Sequence, residues 1–516
     1  MKNIILTLLT LCFLSACSLS YEPENKMVSS TVYRDKNTAE AALLGAYVQF
    51  QNFLSGAPQG TNGYPDFVYA FLFGDLGTDL LHSVDDNADY VAVESSAYTE
   101  VQHQGILSTV YLNGYNTIDY ANNIIEGIRR HGEFDPVQMR IFIAEAKFIR
   151  AYAYFQLLCL YGDQALSGHD DAPGLVLRLT PFDGYKPSDI QARATNREVW
   201  DLIIKDLEAA IPDLTDNVPV VDLRVRATKG VAQALLSRVL LYKGTATDNA
   251  QELSRCADLA SSVLSLSAYK LGDTQEAYAI LFPRNIYDEQ SKSWSNPTQR
   301  SEELIFFEAS RLTKDGFPSG IINYYNKSGI VVPEKAWKFY EEGDIRGCSS
   351  EDKGENGKGR QLIGIGSTTY HKDKTTSLKY PGYNPIDGNN DVIYIRLAEI
   401  YLNRAEALVR VSKSVSSEAI ELLNRVHVRA FPNDSPTTVY KVRDFSTTEE
   451  LLMAILQERR RELAYENHMR FDIIRTANML KDSTMGAVPL EKWNLPYPTH
   501  EVRISDGIIV QNSGYR

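Results

Sequence analysis

Three glutamates stand four residues apart, at Glu458, Glu462 and Glu466. On a helix that spacing stacks them on one face. Paired carboxyls flanking a sugar linkage can hydrolyse it, one as acid and the other as base or nucleophile. Here Arg459, Arg460 and Arg461 interleave the column, and Arg470 follows Glu466 at the next helical position. Carboxylates set among guanidinium groups are held as anions by charge-assisted hydrogen bonds. The column therefore reads as an ion-pair network tying the last helix to its neighbours, with Glu466 meeting Arg470. Glu399 and Glu406 read as similar structural ties.

Other chemistry is sparse. Asp85, Asn87 and Asp89 alternate like the first ligands of a calcium loop. Tyr90 stands where that loop needs glycine, and Ser96 where it needs a bidentate glutamate. The eight histidines are scattered, with no His-Glu-x-x-His pair, so no catalytic metal is expected. Gly364-Ile-Gly366-Ser367 lacks the third glycine and the lysine of a phosphate loop and reads as a turn. There is no Gly-x-Ser-x-Gly nucleophile elbow. No cofactor and no catalytic residue are expected.

The aromatic residues offer a different chemistry. Tyrosine occurs 30 times and phenylalanine 19 times. A tyrosine ring has an apolar face and a hydrogen-bonding edge. Such faces can stack on the C–H side of a sugar ring, while Asn, Asp, Arg and Gln bond its hydroxyls. Tyrosines inside strongly periodic helices belong to the core. The contact candidates lie in two long irregular stretches. Tyr64, Tyr90 and Tyr98 belong to the first; Tyr287, Trp294, Tyr324, Tyr325 and Trp337 belong to the second. Trp294 leads this group, because an exposed tryptophan among polar neighbours needs a reason.

Helices must position these stretches. Apolar periodicity predicts helices over 38–53, 101–130, 136–161, 196–214, 227–242, 249–266, 392–411, 417–430 and 447–479. Pro136 at a first-turn position and Gly162 past the end bracket one of them. The segments 144–161, 228–242 and 393–408 each carry alanines on the contact face plus Leu and Tyr, and each precedes a second amphipathic helix. Small residues at helical spacing let paired helices approach closely. That is the logic of degenerate tetratricopeptide hairpins, although the pattern alone also fits an unrelated bundle. Gly56–Ser96 and Gly272–Asn390 are rich in Gly, Pro and Asn and read as irregular. Short strands are expected over 303–307, 330–332 and 362–365.

The chain ends and charge bound its setting. A basic start, an apolar run over 4–14 and Leu14-Ser15-Ala16-Cys17 predict a signal peptide over 1–16. The ending resembles a lipoprotein cleavage box, so Cys17 is expected to be acylated and residues 17–37 to form a tether. Acylation on that residue anchors a protein to a membrane surface. Cys159, Cys256 and Cys348 remain, and their odd number and wide spacing argue against a disulfide framework. The net charge of −13 argues against a nucleic-acid binder.

Five segments in order then carry a resemblance: Arg150–Gly162, Arg226–Tyr242, Ile395–Ala407, Ile455–Glu466 with Arg470–Arg475, and Gln511-Asn-Ser-Gly-Tyr515. Together they resemble the SusD/RagB family of nutrient-uptake outer-membrane lipoproteins. Ser513 stands where that family usually has proline. The resemblance implies a mostly α fold of tetratricopeptide-like hairpins carrying an irregular binding subregion with short strands. It implies one domain over 38–516, with the scaffold at about 38–271 and 391–480 and the insertion at about 272–390. It also implies a cell-surface protein on the outer membrane that binds an oligosaccharide, or alternatively a peptide or glycopeptide, through the two irregular stretches. The implied partner is a SusC-type TonB-dependent barrel transporter. A surface glycosidase and a purely structural scaffold are the remaining readings.

Overall fold

Capping chemistry in the chain sets many of the helix boundaries. Asp135 accepts a hydrogen bond from the Gln138 amide, Pro136 opens the helix, and Gly162 ends it in extended backbone. Thr195 with Glu198, and Thr447 with Glu450, form capping boxes that start two more helices.

The computed structural model describes residues 29–56, 70–83, 88–216, 224–274, 276–282, 286–288, 293–295, 300–308, 330–347, 363–365, 375–377, 379, 391–431 and 439–516. Its principal elements, in chain order, are α1 (Lys36–Ser55), β1 (His82–Ser83), α2 (Ala88–Ser95), α3 (Ser108–His131), α4 (Pro136–Tyr161), α5 (Asn196–Ala210), α6 (Lys229–Ala246) and α7 (Ala250–Leu264). Then follow β2 (Ile286–Asp288), β3 (Ser293–Ser295), β4 (Leu304–Glu308), β5 (Ile330–Val331), α8 (Glu334–Trp337), β6 (Ile363–Ile365), β7 (Thr375–Ser377) and β8 (Val392–Arg396). The last are α9 (Leu397–Ser412), α10 (Ser417–His427), α11 (Thr448–Glu462) and α12 (Met469–Arg475).

The fold is mostly α and built as tetratricopeptide-like hairpins. Helix α3 packs on α1 and α4, α4 on α5, α6 on α7, α7 on α9, and α9 on α10 and α11. Among the described residues the named strands pair in antiparallel twos: β1 with β5, β2 with β3, β4 with β8, and β6 with β7. The β4–β8 pair is wholly buried. Phe306 of β4 packs edge-on to Phe148 of α4 and lies against Phe50 of α1 and Tyr394 of β8. Cys159 and Cys256 are free and buried, and burial raises both thiols far above their ordinary range.

Three expectations need correction. The helix expected over 392–411 begins only at Leu397, because Val392–Arg396 forms β8 against β4. The helix expected over 447–479 is two helices, broken where Tyr465 and Asn467 take left-handed φ of 68° and 65°. Residues 56–96 are not irregular throughout, since they include α2 and a short 3₁₀ turn over Ala70–Gly74. In addition, a five-residue π stretch, His103–Leu107, precedes α3.

The glutamate column is buried and fully engaged. Glu462 accepts from Arg396 at 2.6 Å, Arg429 at 2.6 Å, Arg346 at 2.7 Å and the Tyr278 hydroxyl at 2.7 Å. Glu458 meets Arg346 at 2.5 Å and Arg461 at 3.1 Å. Glu466 does not use Arg470. It bonds Arg396 at 2.6 Å and Lys379 at 2.5 Å, while Arg470 donates to the Trp493 carbonyl at 2.8 Å. Glu303 bridges Arg396 at 2.7 Å and Arg429 at 2.5 Å. Four of these partners (Tyr278, Glu303, Arg346 and Lys379) come from the stretch 272–390, so the column joins that stretch to the scaffold. A second network ties the hairpins together through Arg238 to Glu399 and Arg475 to Glu406.

Burial alone would raise the Glu462 carboxyl, but Arg429, Arg396 and Arg346 outweigh it and hold it well below the usual range. Removing one member strands several buried charges. Glu462→Ala is expected to lower unfolding free energy by about 3–5 kcal/mol. Breaking the exposed Arg255–Glu208 pair with Arg255→Ala is expected to cost less than about 1 kcal/mol. Urea titration of the two variants checks the contrast, and equal effects would contradict the network's role.

Candidate functional site

The two irregular stretches are stitched to each other. Strand β1 from the first pairs with β5 from the second, with His82 opposite Val331 and Ser83 opposite Ile330. Beside this seam, Asp79 takes an ion pair from Lys335 of α8. It also accepts from the Ser483 amide at 2.6 Å, the Ser483 hydroxyl at 2.7 Å and the Thr484 hydroxyl at 2.8 Å. Burial works against its charge, yet Lys335 and these donors hold its carboxyl at about 2. Asp79 is thus an anion that pins both stretches to residues 483–484.

Asp75 pins the first stretch a second time. Its carboxyl accepts from the amide of Asn467 at 2.8 Å, in the turn after α11, and from that of Met469 at 3.4 Å, at the start of α12. The approach is very close: a Cβ on the neighbouring Gly74 would lie 2.4 Å from the Asn467 Cα, so only glycine fits.

The predicted contact residues distribute unevenly over this frame. Tyr287 and Trp294 are cross-strand partners in the β2–β3 pair, and directly opposed positions of an antiparallel pair share one face of the ribbon. Trp337 ends α8, half-buried against the core, and its indole nitrogen has no hydrogen-bond partner among the described residues. Tyr98 is half-buried, its ring edge-on to His103 at 6.4 Å and Tyr515 at 6.2 Å. Burial pushes its hydroxyl up to about 12, and that oxygen has no partner among the described residues. Tyr90 is only 5% exposed and belongs to the core, because it lies on the inner side of α2. Tyr64, Tyr324, Tyr325 and Cys17 lie outside the described residues, as do Asp85 and Asn87. Among the described residues no cluster of three or more His, Cys, Asp or Glu is placed to hold a metal.

Two features escaped the sequence reading. A groove of about 530 Å³ opens beside α10, lined in part by Asp273, Arg425, Tyr440 and Lys441 and by none of the predicted aromatics. The loop between α4 and α5 displays Phe182 at 66% and Tyr185 at 68% exposure. A Phe-Asp-Gly-Tyr run between Pro181 and Pro187 was the signal available for the loop.

Asp75 also gives the seam a pH dependence. Burial raises its carboxyl from 3.8 to about 7, against the lowering effect of the two amides. The folded protein therefore holds a proton there over a range in which the unfolded chain has lost it. The stability this contributes is full below about pH 4 and is lost as pH rises through about 7. Asp75→Asn stays neutral, so its melting temperature relative to the unmodified protein is expected to rise between about pH 5 and pH 8. A difference that stays flat across that range would contradict the assignment.

Comparison with known proteins agrees with this architecture. A model described as the SusD family matches residues 300–492, and one described as starch-binding associating with outer membrane matches residues 74–241. SusD-like protein P2 of Formosa agariphila is 24% identical over 472 residues, covering 85% of this chain and 87% of that one. SusD-like protein P38 of the same organism is 24% identical, covering 92% of each. A SusD superfamily protein of Bacteroides thetaiotaomicron superposes with a TM-score of 0.70 at 20% identity, over 92% of this chain and 99% of its own. A solved structure described as a laminarin binding SusD-like protein superposes with a TM-score of 0.68 at 21% identity, over 94% and 100%.

Proposed function

The chain belongs to the SusD/RagB family, and from that premise we propose that it binds an oligosaccharide at the cell surface without cleaving it. The observation that carries this reading is the union of the two irregular stretches through β1 and β5, with Tyr287 opposite Trp294 in the same subregion. Aromatic faces on a fixed backbone can stack on sugar rings at little entropic cost. The starch-binding description of one matching model and the laminarin-binding description of one structural neighbour support a glycan over a peptide.

The glutamate column does not serve cleavage in this reading. Two carboxyls must face a sugar linkage, with one holding a proton near neutral pH. Glu458 and Glu462 are buried, ion-paired and held low. The remainder of the proposal follows the family. Cys17 carries lipid, residues 38–516 form one domain on the outer face of the outer membrane, and the cargo passes to a SusC-type TonB-dependent transporter.

Calorimetry against soluble starch, laminarin, xylan, mannan and a mixed peptide library tests the reading. At least one glycan is expected to bind, with no new reducing ends. Trp294→Ala is expected to weaken it by about tenfold, the order of one lost aromatic stacking contact. Binding to peptides alone, or release of reducing ends, would overturn the proposal.

A further inference from the structure

The loop between α4 and α5 is an exposed aromatic tip on a rigid stem. Phe182 and Tyr185 are the most exposed aromatics among the described residues. Two water-facing rings of this size, three residues apart on one held loop, need a reason. Neither ring engages another aromatic ring or a cation among the described residues. Leu179, three residues before Phe182, is also exposed.

The stem holds the tip in place. The Phe182 amide donates to Asp119 Oδ1 at 2.7 Å, and Asn123 bonds the other oxygen of that carboxyl at 2.9 Å. Asn122 Nδ2 donates to the carbonyls of Arg178 at 3.0 Å and Thr180 at 3.3 Å. The Tyr154 hydroxyl accepts from the Arg178 amide at 2.6 Å and donates to the Arg178 carbonyl at 3.0 Å. The Lys186 amide donates to Asp189 at 2.8 Å. Between the rings the chain turns at Gly184, whose φ of 76° suits glycine and around which a Cβ would meet nothing. The scaffold helices α3 and α4 thus hold the leading side of the tip at Arg178, Thr180 and Phe182, a turn closed by Asp189 holds its trailing side at Lys186, and the two rings between them face water.

We propose that Phe182 and Tyr185 form a second carbohydrate-contact site, separate from the β2–β3 ribbon, that stacks on a long glycan chain. The proposal rests on the carbohydrate reading above. The chemistry of the tip favours a sugar over a lipid surface. Asp183 stands between the two rings with its side chain 92% exposed. Inserting the rings into a bilayer would carry that carboxylate in with them, which is expensive. A glycan instead donates hydroxyls to the carboxylate while its C–H faces cover the rings. Lys186, 3.4 Å from Asp183, supplies donors at the same tip. A contact outside the main subregion adds avidity for a polymer and nothing for a short oligosaccharide that fills one site.

The test compares the full chain with the Phe182→Ala/Tyr185→Ala double variant in affinity gels containing soluble starch, laminarin, xylan or mannan. For a polymer that retards the unmodified chain, the double variant is expected to bind about tenfold more weakly. Calorimetry with a hexasaccharide of the same glycan is expected to give equal affinities for both proteins. Phe182→Trp/Tyr185→Trp is expected to restore retention, and unchanged melting temperatures check that the variants fold. Equal retention of the unmodified chain and the alanine variant overturns the second site while leaving the main carbohydrate reading intact. So does a loss on alanine substitution that is confined to vesicles of equal parts phosphatidylethanolamine and phosphatidylglycerol. If the unmodified chain binds no glycan of any length, the carbohydrate reading falls and this one falls with it.

Discussion

A buried carboxylate must be matched by cations or it unfolds what surrounds it, and three of them lie close in sequence here, Glu458 and Glu462 on α11 and Glu466 in the turn just past it. Transfer of an unpaired carboxylate into a low-dielectric interior costs several kcal/mol even after relaxation. Glu458, Glu462 and Glu466 avoid that cost only because Arg346, Lys379, Arg396, Arg429 and Arg461 converge on them. Those cations arrive from α11 itself, from β8, from just past α10 and from the long irregular stretch. Each guanidinium has a planar fork that accepts few geometries. The column therefore dictates where the backbones that bring the cations must pass. Buried ion pairs are weak evidence of net stability, and their contribution here is to placement.

That placement explains how a loop-rich subregion keeps a shape. Arg346 sits a few residues past α8, and α8 follows β5, which pairs with β1. Fixing Arg346 on Glu458 and Glu462 therefore fixes the seam between the two irregular stretches from one side. Asp79 and Asp75 fix it from the other, on residues 483–484 and on the turn after α11. Both routes lead back to the same stretch of chain, 458–484. A binding surface held this way loses little conformational freedom when a ligand arrives, so more of the contact energy appears as affinity.

What was legible in the sequence follows from the range of the interactions involved. Helix α4 was readable to the residue because its signals are local: Asp135, Pro136 and Gly162 lie within a turn of its ends. The split at β8 was not. Val-Ile-Tyr-Ile continues the apolar pattern of α9 without a break, and its strand partner, β4, lies far away in sequence. The turn between α11 and α12 was hidden for a similar reason. Tyr465 and Asn467 carry no glycine to announce positive φ, and the Asp75 carboxylate that supports the turn comes from the other end of the chain. The ion-pair character of the glutamate column was legible, because Arg459, Arg460 and Arg461 stand beside it. Its partners Arg346 and Lys379 were not, and the nearest expected one, Arg470, turns to the Trp493 carbonyl instead. Among the aromatics, composition marked the candidates but not their exposure. Tyr90 faces inward from a helix whose sequence reads as irregular, while Phe182 and Tyr185 lie in the long connection 162–195 between two strong helices, where composition does not mark them as exposed.

The same accounting separates holding a ligand from reacting with it. A hydrolase keeps one carboxyl protonated and another free, each facing substrate, which means leaving them incompletely satisfied in the resting protein. This chain does the opposite with its most concentrated acids: Glu303, Glu406, Glu458 and Glu462 are buried among guanidinium groups that hold each of them below the ordinary carboxylate range. Their free energy is committed to joining backbones. The groups left facing water on fixed supports include aromatic faces and short polar side chains, with Phe182, Asp183 and Tyr185 the plainest instance among the described residues. Such a surface can stack on the C–H faces of a ligand and hydrogen-bond its polar edge, which is the chemistry of holding.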